Sequence, residues 1–143
     1  MRLLSYFLLL GCLTLFSSEL FAITFVGGFE NNIWGDLRNW SPQQVPGGGD
    51  EAVVPIGKLV NVNGNITVGA LILGGTLGNN ADPDSKLTIN TNFSWTDGTV
   101  ACPVYLSPGC ASLWQGSLGL GANLFNHGEI TVSANVSVNY SVL

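Results

Sequence analysis

The sequence predicts an all-β protein, a short right-handed parallel β-helix (β-solenoid) after an N-terminal signal peptide, and three observations predict it. Apolar residues recur with period two over most of the chain beyond residue 58, as in strands that bury one face. Glycine, at 19 of 143 residues, and asparagine are too dense for helices, and no stretch outside the leader shows helical spacing. A Gly-(Thr/Ser)-apolar unit recurs at Gly75-Thr76-Leu77, Gly98-Thr99-Val100 and Gly116-Ser117-Leu118, spaced by 23 and then 18 residues, with Trp95 and Trp114 ahead of the last two. A period of about twenty suits one solenoid coil stacking on the coil before. A β-sandwich is the alternative, since it also has short strands and glycine turns, but it has no need of the repeated unit.

Residues 1–22 carry one positive charge at Arg2, an apolar run through residue 16 and a small residue at Ala22, which predicts a secretory signal peptide cut after Ala22. The run falls short of the roughly twenty apolar residues of a membrane span, so no stable span is expected. Leu9-Leu10-Gly11-Cys12 also resembles a lipoprotein box, but Leu13 to Phe16 extend the apolar run where a polar tether is wanted. The expected localisation is secreted or cell surface. Beyond the leader three basic residues (Arg38, Lys58, Lys86) face eight acidic ones, a net charge of 3 − 8 = −5. Nucleic acid is therefore excluded as a partner, because phosphate binding needs clustered Lys and Arg.

Residues 23–57 read as an N-terminal cap and entry segment. Pro42 and Pro46 stiffen an extended crossing, and Asp50 is placed to accept backbone N–H bonds where the first strand begins. Trp34 and Trp40 are large apolar plates suited to covering an open first coil, or alternatively to stacking on a sugar. Residues 58–143 read as coils, the whole being either complete or a fragment of a longer solenoid. Val60 and Val62, Ile66 and Val68, then Leu71 and Leu73 form the first inward series, with corners at Gly64 and Gly69. Residues 79–86 read as an outward excursion, and Leu87, Ile89, Phe93 and Trp95 form a second series. Cys102 and Cys110 flank two prolines and a glycine, which predicts a projecting loop closed by a disulfide in an oxidising compartment. From Ile130 to Val142 apolar and polar residues alternate without a break, which reads as the cleanest strand. An uncovered last coil would favour end-to-end association.

The entry segment carries a resemblance. Trp34, Asn39-Trp40-Ser41-Pro42, Val45-Pro46, Gly49-Asp50 and the strand at Val53-Val54 followed by Gly57 resemble the first segment of secreted parallel β-helix modules, namely the glycine-eight domain and the N-terminal coils of autotransporter-type passengers. The likeness covers residues 25–78. It implies a β-helix and leaves the activity open, since such modules occur in adhesins, receptors and polysaccharide-degrading proteins alike.

Chemistry is sparsely signalled. A glycosidase needs two carboxylates at a set separation, and nothing in the spacing pairs Asp97 with Glu129 or Asp82 with Asp84 in that role. Asn80, Asp82, Asp84 and Ser85 form only part of a calcium loop, and His127 with two thiols falls short of a zinc set, so no metal or other cofactor is expected. Asn-x-Ser/Thr acceptors occur at Asn39, Asn65, Asn92, Asn135 and Asn139, of which the first is spoiled by Pro42; the others are glycosylation sites in a eukaryotic host. The expected function is a non-catalytic β-helix module for adhesion, binding glycans or surface proteins. The alternatives are a carbohydrate-active enzyme of the β-helix kind and a structural matrix component.

Overall fold

The structure, a computed structural model, describes residues 21–79, 82–133 and 137–140, the last four as backbone. Among the described residues fourteen strands follow one another: β1 (Ala22–Phe25), β2 (Trp40–Ser41), β3 (Glu51–Val54), β4 (Leu59–Val62), β5 (Asn65–Leu73), β6 (Thr76–Asn79), β7 (Lys86–Trp95), β8 (Gly98–Val100), β9 (Val104–Leu106), β10 (Ala111–Trp114), β11 (Ser117–Leu120), β12 (Leu124–Asn126), β13 (Glu129–Val132) and β14 (Ser137–Tyr140). Every pairing is parallel except that of β1 with β2, and the chain winds as a β-solenoid of about four turns. The alternative β-sandwich is ruled out by these parallel neighbours, because its sheets are antiparallel.

Three walls enclose the core. The first is formed by the front halves of β5 and β7 with β9 and β12. The second stacks β3, the back halves of β5 and β7, then β10 and β13. The third runs β4, β6, β8, β11 and β14. Between the first two walls β5 and β7 bend at a register shift after Val68, and in the later coils the same bend becomes a full break. Because ladder bonds run to the coils before and after, the strands can be short, and the inward side chains supply the cohesion. Val54, Leu73, Trp95, Trp114 and Val132 form one inward row and Ala52, Leu71, Phe93, Ser112 and Ile130 the next. Each fully buried aliphatic in such a row contributes roughly 1.5–3 kcal/mol.

The repeated glycine unit marks the corner between the second and third walls. Gly98 and Gly116 have φ of +87° and +83°, and a Cβ on either would overlap a carbonyl oxygen of the preceding coil, that of Gly75 or Thr96. The register refines the repeat: Thr99 lies on Thr76, but it is Leu118, not Gly116, that lies on Gly98. Since Trp114 lies on Trp95, the fourth coil spends one residue more than the third in turning this corner.

Three expectations about the elements are corrected. The 102–110 segment does not project as a loop, because Val104 and Leu106 alternate inward from β9, which pairs with β7 and β12. The run from Ile130 onward is two strands in different walls, β13 and β14, with residues 134–136 between them outside the described set. Strands of the parallel stack, β1 from Ala22 and then β3, already lie within the 23–57 entry segment. Residues 1–20 of the expected leader, and Asn80 and Ala81 of the expected excursion, lie outside the described residues.

The segment before β3 closes the first coil. β1 pairs with β3 and carries β2 on its outer side. Ile33 bridges Asn61 on the third wall, Trp34 N–H donates to Asn61 O at 2.8 Å, and the Asn61 and Asn63 amides bond Asn31 O and Gly35 N–H. Under this lid Phe25, Trp34 and Trp40 form an edge-to-face cluster with centroids 4.8–5.1 Å apart. The Trp40 indole N–H donates to Trp34 O at 2.7 Å.

Candidate functional site

The residues singled out in the sequence are mostly spent on structure. Trp34 and Trp40 are buried and offer no face to a ligand. The Asp50 carboxylate accepts from Gly47 N–H at 2.8 Å and its carbonyl from Ala70 N–H at 2.9 Å, so it ties the entry turn to β5. Asn39, noted as a spoiled acceptor and as part of the entry-segment resemblance, is a buried hub. Its side chain accepts from Phe29 N–H and donates to Phe29 O and Ile33 O, which folds residues 29–39 into the lid. Asn65 and Asn92 are exposed. Asn135 lies outside the described residues, and Asn139 is described only as backbone on β14.

Cys102 and Cys110 are free thiols, both buried, and this corrects the expected bridge. Extended β9 lies between them at about 3.3 Å per residue, whereas a disulfide needs the two Cα atoms within about 7 Å. Burial pushes the Cys102 thiol up to about 12 and raises that of Cys110.

No catalytic pairing emerges among the described carboxylates. Asp82 accepts from Asp84 N–H and the Ser85 hydroxyl, and Asp97 accepts from Gly98 N–H, as turn residues do. Among the described residues acid and base form ion pairs only in the lid, where Arg38 donates to both Glu30 and Asp36 and lies 5.2 Å from the Phe29 ring. Glu30, Asp36 and Arg38 line an open cleft of about 500 Å³ with Ile33, Gly35, Leu37 and Asn63. The guanidinium beside it holds the Asp36 carboxyl below its ordinary value, the reverse of what a general acid requires. Among the described residues no three His, Cys, Asp or Glu side chains gather as a metal site.

The outer surface of the first wall is different. Thr67, Thr88, Tyr105 and Phe125 stand opposite one another in register on four successive coils. Tyr105 and Phe125 stack with centroids 4.3 Å apart and planes 13° from parallel, and Phe125 remains 39 % exposed. The Lys86 ammonium lies 5.2 Å from the Tyr105 ring centroid, and exposed Asn65 pairs with Lys86 in the neighbouring outward row. Hydroxyls, an amide, an ammonium and an aromatic stack thus share one surface. Sequence inspection missed it, although the twenty-residue separation of Tyr105 and Phe125, one coil length, was the available signal.

What these features define is a parallel β-solenoid with a lidded N-terminal end and one aromatic side wall. Comparison with protein families, with characterised proteins and with solved structures yields no match.

Proposed function

We propose that the chain is a non-catalytic, secreted or cell-surface β-solenoid module that binds glycans, in the manner of an adhesive domain. The observation that carries this reading is the outward Tyr105–Phe125 stack beside Thr67, Thr88 and Lys86. Aromatic carbon takes the apolar C–H faces of a sugar, and the flanking polar groups exchange hydrogen bonds with its hydroxyls. The signal-like leader, the low content of charged residues and the entry-segment resemblance to glycine-eight and autotransporter coils support an extracellular setting. The enzyme alternative has less support, since each turn aspartate described above is already engaged by its own turn.

The test is binding of a panel of oligosaccharides followed by calorimetry. Phe125→Ala and Tyr105→Ala are expected to weaken binding by about tenfold or more while the far-ultraviolet dichroism stays that of the parent. Binding unaffected by both substitutions, or an absence of binding across the panel, overturns the proposal.

Assembly as a matrix component is a second reading, favoured by one observation. Val132 points inward by register yet is 54 % exposed, so the C-terminal coil offers apolar surface for end-to-end association.

A further inference from the structure

We infer that the ligand of the aromatic wall is an acidic saccharide, whose carboxylate pairs with Lys86 while its ring lies against Tyr105 and Phe125. This rests on the glycan-binding reading and names its ligand class.

The inference follows from what the three cations beyond the leader do. Arg38 is held by Glu30 and Asp36, and the Lys58 ammonium donates to Val26 O at 2.8 Å. Lys86 differs. Among the described residues its ammonium has no carboxylate or carbonyl partner and rests only beside the Tyr105 ring. A cation over an aromatic face keeps its donors available outward, because the ring satisfies none of them as a hydrogen bond would.

The surroundings fit an anion of small size. Asp82 is bonded to Ser85 and to Asp84 N–H within the turn that precedes β7, and neither it nor Asp84 pairs with Lys86. Next to Lys86 stands exposed Asn65, whose amide can donate to a second carboxylate oxygen or a neighbouring hydroxyl. Thr88 flanks Tyr105 in the aromatic row and supplies a further hydroxyl. The net charge of −5 repels a long polyanion at a distance, but this field is screened beyond about 8 Å at physiological ionic strength. A short acidic oligosaccharide, or the acidic end of a longer chain, therefore suits the wall better than an extended polyanion.

The test compares an oligogalacturonate with the same oligomer reduced at its carboxyl groups to primary alcohols. The parent protein is expected to bind the acidic form at least about tenfold more tightly, as a charge-assisted hydrogen bond warrants. Lys86→Gln should abolish that preference without moving the unfolding midpoint, and Lys86→Arg should retain it. Equal binding of the two forms, or a preference that survives Lys86→Gln, overturns the inference and leaves the glycan reading standing. Failure of the parent to bind either form, or any member of the wider panel, overturns both.

Discussion

At the N-terminal end of the solenoid Phe25, Trp34 and Trp40 are buried beneath a lid of irregular chain, whereas in the C-terminal coil Val132 is 54 % exposed though it points along the same inward row as buried Val54 and Leu73. A coil buries its inward side chains only when something lies on both sides of it. The lid achieves this by crossing from the second wall to the third, which no single strand can do. Its backbone groups are therefore met by side-chain amides, those of Asn39, Asn61 and Asn63. The irregularity of residues 26–39 is the cost of closing a triangular end.

The strongest way to break this contrast is to remove one plate from each end. Trp40→Ala deletes a buried indole with its bond to Trp34 O, and a loss of about 3–5 kcal/mol is expected in urea unfolding. Val132→Ala, at a half-exposed position, should cost less than about 1 kcal/mol. Equal losses would show that the lid is no more essential than the open coil.

A smaller effect separates corners from loops. Gly98→Ala places a Cβ onto the Gly75 carbonyl at a φ of +87°, so backbone strain joins steric overlap, and about 2–3 kcal/mol should be lost. Gly121→Ala meets its nearest atom, Val100 O, at 3.7 Å and should change stability by no more than about 0.5 kcal/mol. Similar outcomes at the two sites would mean that the corner is not the rigid element that spaces the coils.

These regions also differed in how far the sequence disclosed them. The inward rows were plain from period two, since every coil repeats the same demand for apolar residues, and the corner glycines at 98 and 116 were plain from their recurrence. β9 was hidden because Pro103, Pro108 and Gly109 carry turn signals, while the only strand signal is the pair Val104 and Leu106. In a solenoid a strand's partners lie about twenty residues away, so three residues suffice and local propensity says little. The same distance hid the Tyr105–Phe125 stack. Asn39 was illegible for another reason: its role depends on three backbone groups that only the folded lid brings within reach.

Between the two ends the contrast sharpens at the thiols. Cys102 and Cys110 are enclosed by coils on either side, so both should resist a small thiol reagent in the native protein and react once denaturant opens the stack. Burial raises the Cys102 thiol to about 12, against an ordinary value near 9, so the folded state holds its proton more tightly than the unfolded state does. Stability is then fully present below about pH 9 and falls as pH rises toward 12. Cys102→Ala should flatten this alkaline decline. Rapid labelling of the native protein would contradict the enclosed arrangement.

The smallest effect lies on the outer surface of the lid, where Arg38 joins Glu30 and Asp36. Arg38 and Glu30 are largely exposed, though the Asp36 side chain is sheltered, and the attraction is screened by salt, so it should matter far less than the plates beneath it. It nevertheless has a recognisable pH signature. The guanidinium lowers the Asp36 pKa in the folded state, so its contribution is present above the usual carboxylate range near pH 4 and is lost as pH falls through the depressed value. Arg38→Gln removes the cause of the depression. The difference in stability between parent and variant should therefore stay constant from pH 5 to neutrality, close below about pH 4 and shrink in high salt. A difference that persists in acid and in salt would assign Arg38 a packing role instead, through its contact with Phe29. The lid would then be held by apolar contacts on its outer surface as well as beneath it.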